Sequence, residues 1–406
     1  MTSFDSSPQL SVWRALLALA VVFVMLATTG WTALRHQRGA TAMEASLTAW
    51  EHGHINGHRL PDPHAAPAVL TRFFASLTAE ERARLARRYP LAVGNMNGAP
   101  VSLRYRANRL ALAEARKVER GRMHDSRLTP DGQRAAARRM ERFGSLMSGN
   151  RKILALDPTG SGRVAEVVGD LAEAERISVV VPGVDTDLLT FQRTDRKKYS
   201  APVGMAKALY AAERDASPTT RTAVIAWADY TAPDGLGIDS ATAMRAEDGA
   251  VRLTALLRGL PGSSPVALFC HSYGSVVCGL AARTLPDRVQ DVAVAASPGM
   301  RVENASQLHT SAQVWAMRDA TDWVQDVPYL EVGGLGHGAD PMSSAFGARV
   351  LSAEGARGHS GYFEPGTASL LNFAEIGVGA YGAVVCADED DTCWKGMSGA
   401  SAAGRA

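Results

Sequence analysis

The segment Phe269-Cys270-His271-Ser272-Tyr273-Gly274-Ser275 joins a strand-like run, Val266 to Cys270, to a helical stretch at about 275–284. A serine at such a junction, with small residues two positions to either side, has the form of a nucleophile elbow. Gly274 meets the requirement on one side, and Cys270 stands where a glycine is usual on the other. A serine hydroxyl is a weak nucleophile near neutrality, so it needs a base, and the base needs an acid to orient it. In this arrangement the chain order is serine, acid, histidine.

The acid is expected after the second strand beyond the nucleophile. Val314 to Met317 is that strand, and Asp319 and Asp322 follow it. Asp322 lies deeper in the loop and is the preferred acid, with Asp319 as the alternative. His337 and His359 are the candidate bases. His337 comes 15 residues after Asp322, too few for the helix and strand that normally intervene, whereas His359 comes 37 residues after it, beyond the strand-like run Ala348–Ser352. His359 is therefore expected to be the base, His337 a pocket residue, and His271 a packing residue of the elbow. Acyl transfer also needs N–H donors for the oxyanion. Tyr273, next to the nucleophile, supplies one. The loop Pro182-Gly183-Val184-Asp185-Thr186 supplies the other; Pro182 has no N–H, so Gly183 or Val184 donates, and Val184 is taken with Tyr273.

These residues need a rigid edge to stand on. Ile153–Asp157 and Arg163–Val168 read as strands around a Pro-Thr-Gly-Ser-Gly turn. Ile177–Val181, Ala223–Trp227, Val266–Cys270, Val289–Ala295 and Val314–Met317 are further apolar runs. Helical stretches at about 203–214, 240–258 and 275–284 separate several of them. Such alternation predicts a mostly parallel sheet with helices on both faces, an α/β-hydrolase fold over residues 151–382. Residues 67–150 read as a helical layer, with Thr78 and Glu81 forming a capping box and Pro90 ending that helix. Residues 37–66, rich in Gly, Pro and His, read as a linker. The histidines 52, 54, 58 and 64 have no Cys or carboxylate at ligand spacing, so neither metal nor cofactor is expected.

The first 36 residues form a tail and a membrane segment: Ala15–Leu34 is uncharged, is flanked by Trp13 and Trp31, and is long enough to span a bilayer. An anchor is preferred to a cleaved signal, because no good cleavage site follows. Arg14 before the run and Arg35 and Arg38 after it lean toward a cytoplasmic catalytic domain. Cys386 and Cys393, bracketing an acidic loop in the tail 383–406, lean the other way as a candidate disulfide. An extracytoplasmic domain is expected. With 43 basic and 41 acidic residues the chain lacks the basic excess of a nucleic-acid binder.

The chain resembles the bacterial α/β hydrolases first catalogued as domain-of-unknown-function family 1023. The resemblance runs from about Leu77 to Gly379. It rests on Leu77-Thr78-Ala79-Glu80-Glu81 with Tyr89-Pro90, Gly94-Asn95-Met96-Asn97-Gly98-Ala99-Pro100, and Arg104 to Arg109. It continues through Val181-Pro182-Gly183, Trp227-Ala228-Asp229-Tyr230, His271 to Ser275, Gly336 to Pro341, and His359-Ser360-Gly361-Tyr362. It implies the hydrolase fold and an esterase- or lipase-like Ser-Asp-His triad, without naming a substrate. Cys270 in place of Gly, and Trp323 where Pro is expected, depart from the pattern. The expected activity is hydrolysis of a small-molecule or lipid carboxylic ester by Ser272, Asp322 and His359. The alternatives are a catalytically silent surface binding protein and an acyltransferase using the same triad.

Overall fold

The protein, described here from a computed structural model, is placed over residues 40–193, 197–387 and 393. The uncharged Ala15–Leu34 run lies outside these residues; among those described, no helix is long and apolar enough to cross a membrane.

The amino-terminal region comprises helices α1 (Ala42–Glu51), α2 (Pro67–Ser76), α3 (Ala79–Arg88), α4 (Pro90–Asn95), α5 (Val101–Arg122) and α6 (Pro130–Met147). Thr78 and Glu81 form the expected reciprocal capping box at the start of α3. Pro90 opens α4 rather than extending α3, since a proline at the first helical position loses no hydrogen bond there. The stretch expected as a linker is structured instead. It contains α1 and a short hairpin pairing His54 with Arg59 and Ile55 with His58. Trp50 is fully buried, donates its indole N–H to the Pro61 carbonyl at 2.7 Å, and meets the Tyr89 ring edge-on. Burial of one large aromatic outweighs the loop-like composition around it.

A central sheet follows: β1 (Lys152–Asp157), β2 (Arg163–Gly169), β3 (Arg176–Val181), β4 (Thr222–Ala228), β5 (Val266–His271), β6 (Val289–Ala295), β7 (Gln313–Met317) and β8 (Arg349–Val350). Its order is β8-β7-β6-β5-β3-β4-β2-β1; β2 is antiparallel to both neighbours and the pairs from β4 to β8 are parallel. This is the α/β-hydrolase arrangement. Helices α7 (Pro202–Ala216), α8 (Met244–Arg258), α9 (Gly274–Ala281) and α10 (Ala368–Val378) complete it. Alternation along the strands sorts the core onto two faces. In β5, Ala267 and Phe269 join a cluster with residues of α5, α6, α7 and α10, whereas Val266, Leu268 and Cys270 join one with α8 and α9.

The helical layer is fastened to the β1 edge by side-chain amides. Asn95 donates to the Leu156 carbonyl at 2.8 Å and accepts from the Leu156 N–H at 2.9 Å, as a neighbouring strand would. Asn108 donates to the carbonyls of Ile153 and Gly94. An otherwise open sheet edge is thereby closed. At the carboxyl end, Cys386 and Cys393 form the expected disulfide, with Cα atoms 5.6 Å apart. Both are buried in the core cluster and Cys386 pairs with Leu351 beside β8, so this part of the expected tail is packed onto the domain. The acidic residues 388–391 lie outside the described residues.

Candidate active site

Strand β5 ends at His271, and the next residue, Ser272, has φ 56°, in the left-handed region. A non-glycine residue there stores about 1–3 kcal/mol of strain and needs neighbours to hold it. The Ser272 N–H donates to the Ala295 carbonyl of β6 at 3.0 Å. Gly274 is required by contact: a Cβ at that position would sit 2.2 Å from the Val181 carbonyl oxygen.

Cys270 occupies the other small-residue position of the elbow. Its side chain points to the α9 face of the sheet and forms a disulfide with Cys278 of α9, Cα to Cα 6.5 Å. This bond was not anticipated from the sequence, which pairs only Cys386 with Cys393. The two cysteines meet because the end of β5, the turn Ser272–Tyr273 and α9 fold back on each other. Strand and helix on either side of Ser272 are therefore joined covalently.

Asp322 and His359 come to Ser272 from two loops at the carboxyl edge. His359, in the short 3₁₀ helix Gly358–Phe363, donates its Nδ1–H to Asp322 Oδ1 at 2.9 Å. That leaves Nε2 as the acceptor for the Ser272 hydroxyl, at 2.8 Å. Asp322 is fully buried. Burial alone would raise its carboxyl, but hydrogen bonds from His359, Tyr362 and the Val324 N–H outweigh this and hold it below the usual carboxylate range. Tyr362 donates to Asp322 Oδ2 at 2.6 Å and accepts from the Asp319 N–H at 2.9 Å. Asp319, the alternative acid, accepts from the Gly358 N–H and so ties the aspartate loop to the histidine loop.

Two neighbours of His359, noted in the sequence for other reasons, make contacts with it that the sequence does not disclose. His271 donates its Nε2–H to the His359 carbonyl at 2.6 Å. Burial first, and then the nearby His359, push the His271 imidazole down to about 4, so it is a neutral donor near pH 7. Trp323, which replaces the expected proline, lays its ring 4.7 Å from that of His359. His337 is not part of this chain: buried, it donates its Nε2–H to the Ser240 carbonyl of the short helix Ile238–Ala241 at 2.7 Å and meets the Tyr273 ring edge-on. Asp340, in the same motif, pairs with Arg318 just beyond β7.

Gly183 presses against the nucleophile, since a Cβ there would lie 2.6 Å from the Ser272 Cβ. Neither the Val184 nor the Tyr273 N–H has a hydrogen-bond acceptor among the described residues. Tyr230, stacked on Trp227, donates to the Pro182 carbonyl at 2.7 Å and holds this loop in place. The loop also accepts support from the other side: Asp185 Oδ1 receives the Gly235 N–H. Beside Ser272 and His359, under the 182–186 loop, lies a cavity of about 190 Å³. A larger one of about 750 Å³ lies next to it, along α7 and α10.

A family profile described as Alpha/beta hydrolase matches residues 157–332, less than half of the chain. An uncharacterized protein of Mycobacterium tuberculosis, Rv2079, is 26% identical over 378 residues, covering 79% of this chain and 57% of the relative. Rv0963c, another uncharacterized protein of that species, is 37% identical over 147 residues, covering 35% of this chain and 54% of the relative. The chain thus spans little more than half the length of these relatives. Among solved structures, dienelactone hydrolase from Anabaena variabilis aligns with TM-score 0.28 and 19% identity, over 40% of this chain and 69% of that one. The 2,6-dihydroxy-pseudo-oxynicotine hydrolase aligns with TM-score 0.29 and 9% identity, over 68% of this chain and 78% of that one. Likenesses this distant carry no argument about activity.

Proposed function

We propose that the chain is a serine hydrolase of the family first catalogued as domain-of-unknown-function family 1023, cleaving a carboxylic ester through an acyl-enzyme. The observation that carries this reading is the unbroken hydrogen-bond chain from buried Asp322 through His359 to the hydroxyl of a strained Ser272. In the first half-reaction Ser272 Oγ attacks the ester carbonyl and its proton passes to His359 Nε2. Asp322 stabilises the resulting imidazolium. The carbonyl oxygen, now an anion, is held by the N–H groups of Val184 and Tyr273. Collapse breaks the bond to the alcohol, which leaves with the proton from His359. Water then attacks the acyl-enzyme, gives its proton to His359, and the acid departs as Ser272 recovers the proton.

The domain is proposed to be held at a membrane by the Ala15–Leu34 run, on the extracytoplasmic side. Support for the side comes from the pairing of all four cysteines, a habit of oxidising compartments. The test of the chemistry is labelling with a fluorophosphonate together with turnover of short 4-nitrophenyl esters. Wild type is expected to label and turn over, and Ser272→Ala to do neither. Labelling that survives the substitution would place the nucleophile elsewhere.

A further inference from the structure

The cavity beside Ser272 has a chemistry of its own. Two of the residues bordering it are cations, Arg193 and Lys197, both exposed at its rim. Neither has a side-chain partner among the described residues. Several other polar groups of the wall are already engaged. Ser200 donates to the Lys197 carbonyl, Thr190 to the Asp185 carbonyl, and Thr186 to the Val184 carbonyl. The one carboxylate, Asp185, receives the Gly235 N–H. Two cations against one engaged carboxylate leave the cavity with an excess of positive charge. The excess continues next door: Arg193 also lines the larger cavity, which adds Lys198 and Lys207 against Asp215 and Glu375.

Size narrows the occupant. At about 190 Å³ the pocket is smaller than the sites that take drug-sized ligands. That small volume suits a short chain beside Ser272. A guanidinium suits an anion better than any neutral group, because its fork of donors matches a carboxylate.

We propose that the substrate is an ester with a short acyl chain ending in a carboxylate, which Arg193 and Lys197 bind while Ser272 attacks the ester carbonyl. This rests on the ester-hydrolase reading above and adds to it the class of acyl group.

The experiment compares kcat/KM of the full-length protein on the mono-4-nitrophenyl esters of succinate and glutarate with that on 4-nitrophenyl butyrate and valerate. The half-esters are expected to be preferred by 10-fold or more at low salt, with the preference shrinking as salt is raised. Arg193→Gln with Lys197→Gln should reduce the ratio of half-ester to neutral ester by 10-fold or more, mainly through KM. Arg193→Glu with Lys197→Glu should invert it in favour of a 4-nitrophenyl ester whose acyl chain ends in an ammonium group, an outcome that misfolding cannot produce. A second arm sets 4-acetoxybenzoate against phenyl acetate, with the carboxylate on the alcohol side. Preference confined to that arm overturns the acyl assignment, and neutral esters preferred in both arms overturn the proposal outright. If fluorophosphonate labelling and turnover of every ester fail, the hydrolase reading falls, and this one with it; if labelling persists and only the charge preference is missing, this one falls alone.

Discussion

At the β1 edge, Asn95 and Asn108 place their amides against the backbone of Leu156 and Ile153, and buried Arg104 donates to Gly94 and Asn97. At the carboxyl edge, Asp322, His359, His271 and Tyr362 are also buried or half-buried and also hydrogen-bonded. The difference is where each network ends. The first closes on main-chain groups, so its bonds are used up in joining helix to strand. The second runs from a carboxylate held ionised to a hydroxyl lining an open cavity, and its last member can pass a proton onward. Buried polarity serves attachment in one place and, on the proposed reading, proton transfer in the other. The terminal group decides which.

The comparison breaks most sharply in a pair of variants. His359→Ala is expected to lower kcat on a 4-nitrophenyl ester by a factor on the order of 10⁴ or more with little change in Tm. Asn95→Ala should do the reverse. It leaves both main-chain groups of Leu156 without partners, at a cost of about 1–3 kcal/mol for each buried polar group, while the folded fraction still labels with fluorophosphonate. Denaturant unfolding and active-site titration on the same samples separate the two effects. His337→Ala, which loses the Ser240 hydrogen bond and the edge-on packing against Tyr273, should lower kcat far less than His359→Ala.

A smaller effect concerns the staple at the elbow. Cys270→Ala with Cys278→Ala removes a loop closure worth about 2–3 kcal/mol in the chain-entropy treatment. If the bridge also steadies the strained turn, kcat falls with stability; if it acts on the unfolded chain alone, kcat at low temperature is unchanged. Stopped-flow acylation beside equilibrium unfolding sorts these outcomes.

The gentlest test uses pH. His271 is held down to about 4 by burial, so the unfolded chain binds its proton first and stability is lost as pH falls from the usual histidine range toward 4. Glu213, buried behind the sheet and bonded to Ser178, is pushed up to about 7 by burial. Its contribution is fully present below the ordinary glutamate range and is lost as pH rises through 7. The two slopes are opposed over much the same window, each on the order of 3 kcal/mol in full. His271→Asn should therefore make stability fall from pH 5 to 7, and Glu213→Gln should make it rise. Parallel curves for both variants and wild type would contradict these shifts.

Much of this was legible in the residues. The strands announced themselves because fully buried parallel strands are continuous β-branched runs, and Thr222–Ala228 is buried at every position. Ser272, Asp322 and His359 could be picked by order and spacing, since each follows a strand, and the structure brings their side chains into one chain of hydrogen bonds. What stayed hidden depended on contacts between distant segments. Nothing near Tyr230 says that its hydroxyl will meet Pro182, 48 residues earlier, and His271 was read only as packing because its acceptor lies 88 residues on. The helix Ala42–Glu51 was masked by the glycines, prolines and histidines that follow it. The asparagines of the Gly94–Pro100 and Arg104–Arg109 motifs drew notice by resemblance, while their attachment to β1 required the fold.

The burial of the elbow disulfide bears on the history of each molecule. Cys270 and Cys278 are 1% and 0% exposed, so neither an oxidant nor a reductant meets their sulfurs while the domain is closed. Thiol–disulfide exchange demands direct approach of a thiolate to sulfur. The bond is therefore made while the chain is still open, and later redox conditions do not revise it. A molecule that closed with both thiols reduced would keep them so until it next unfolded. Each closed molecule would thus preserve the conditions of its own maturation.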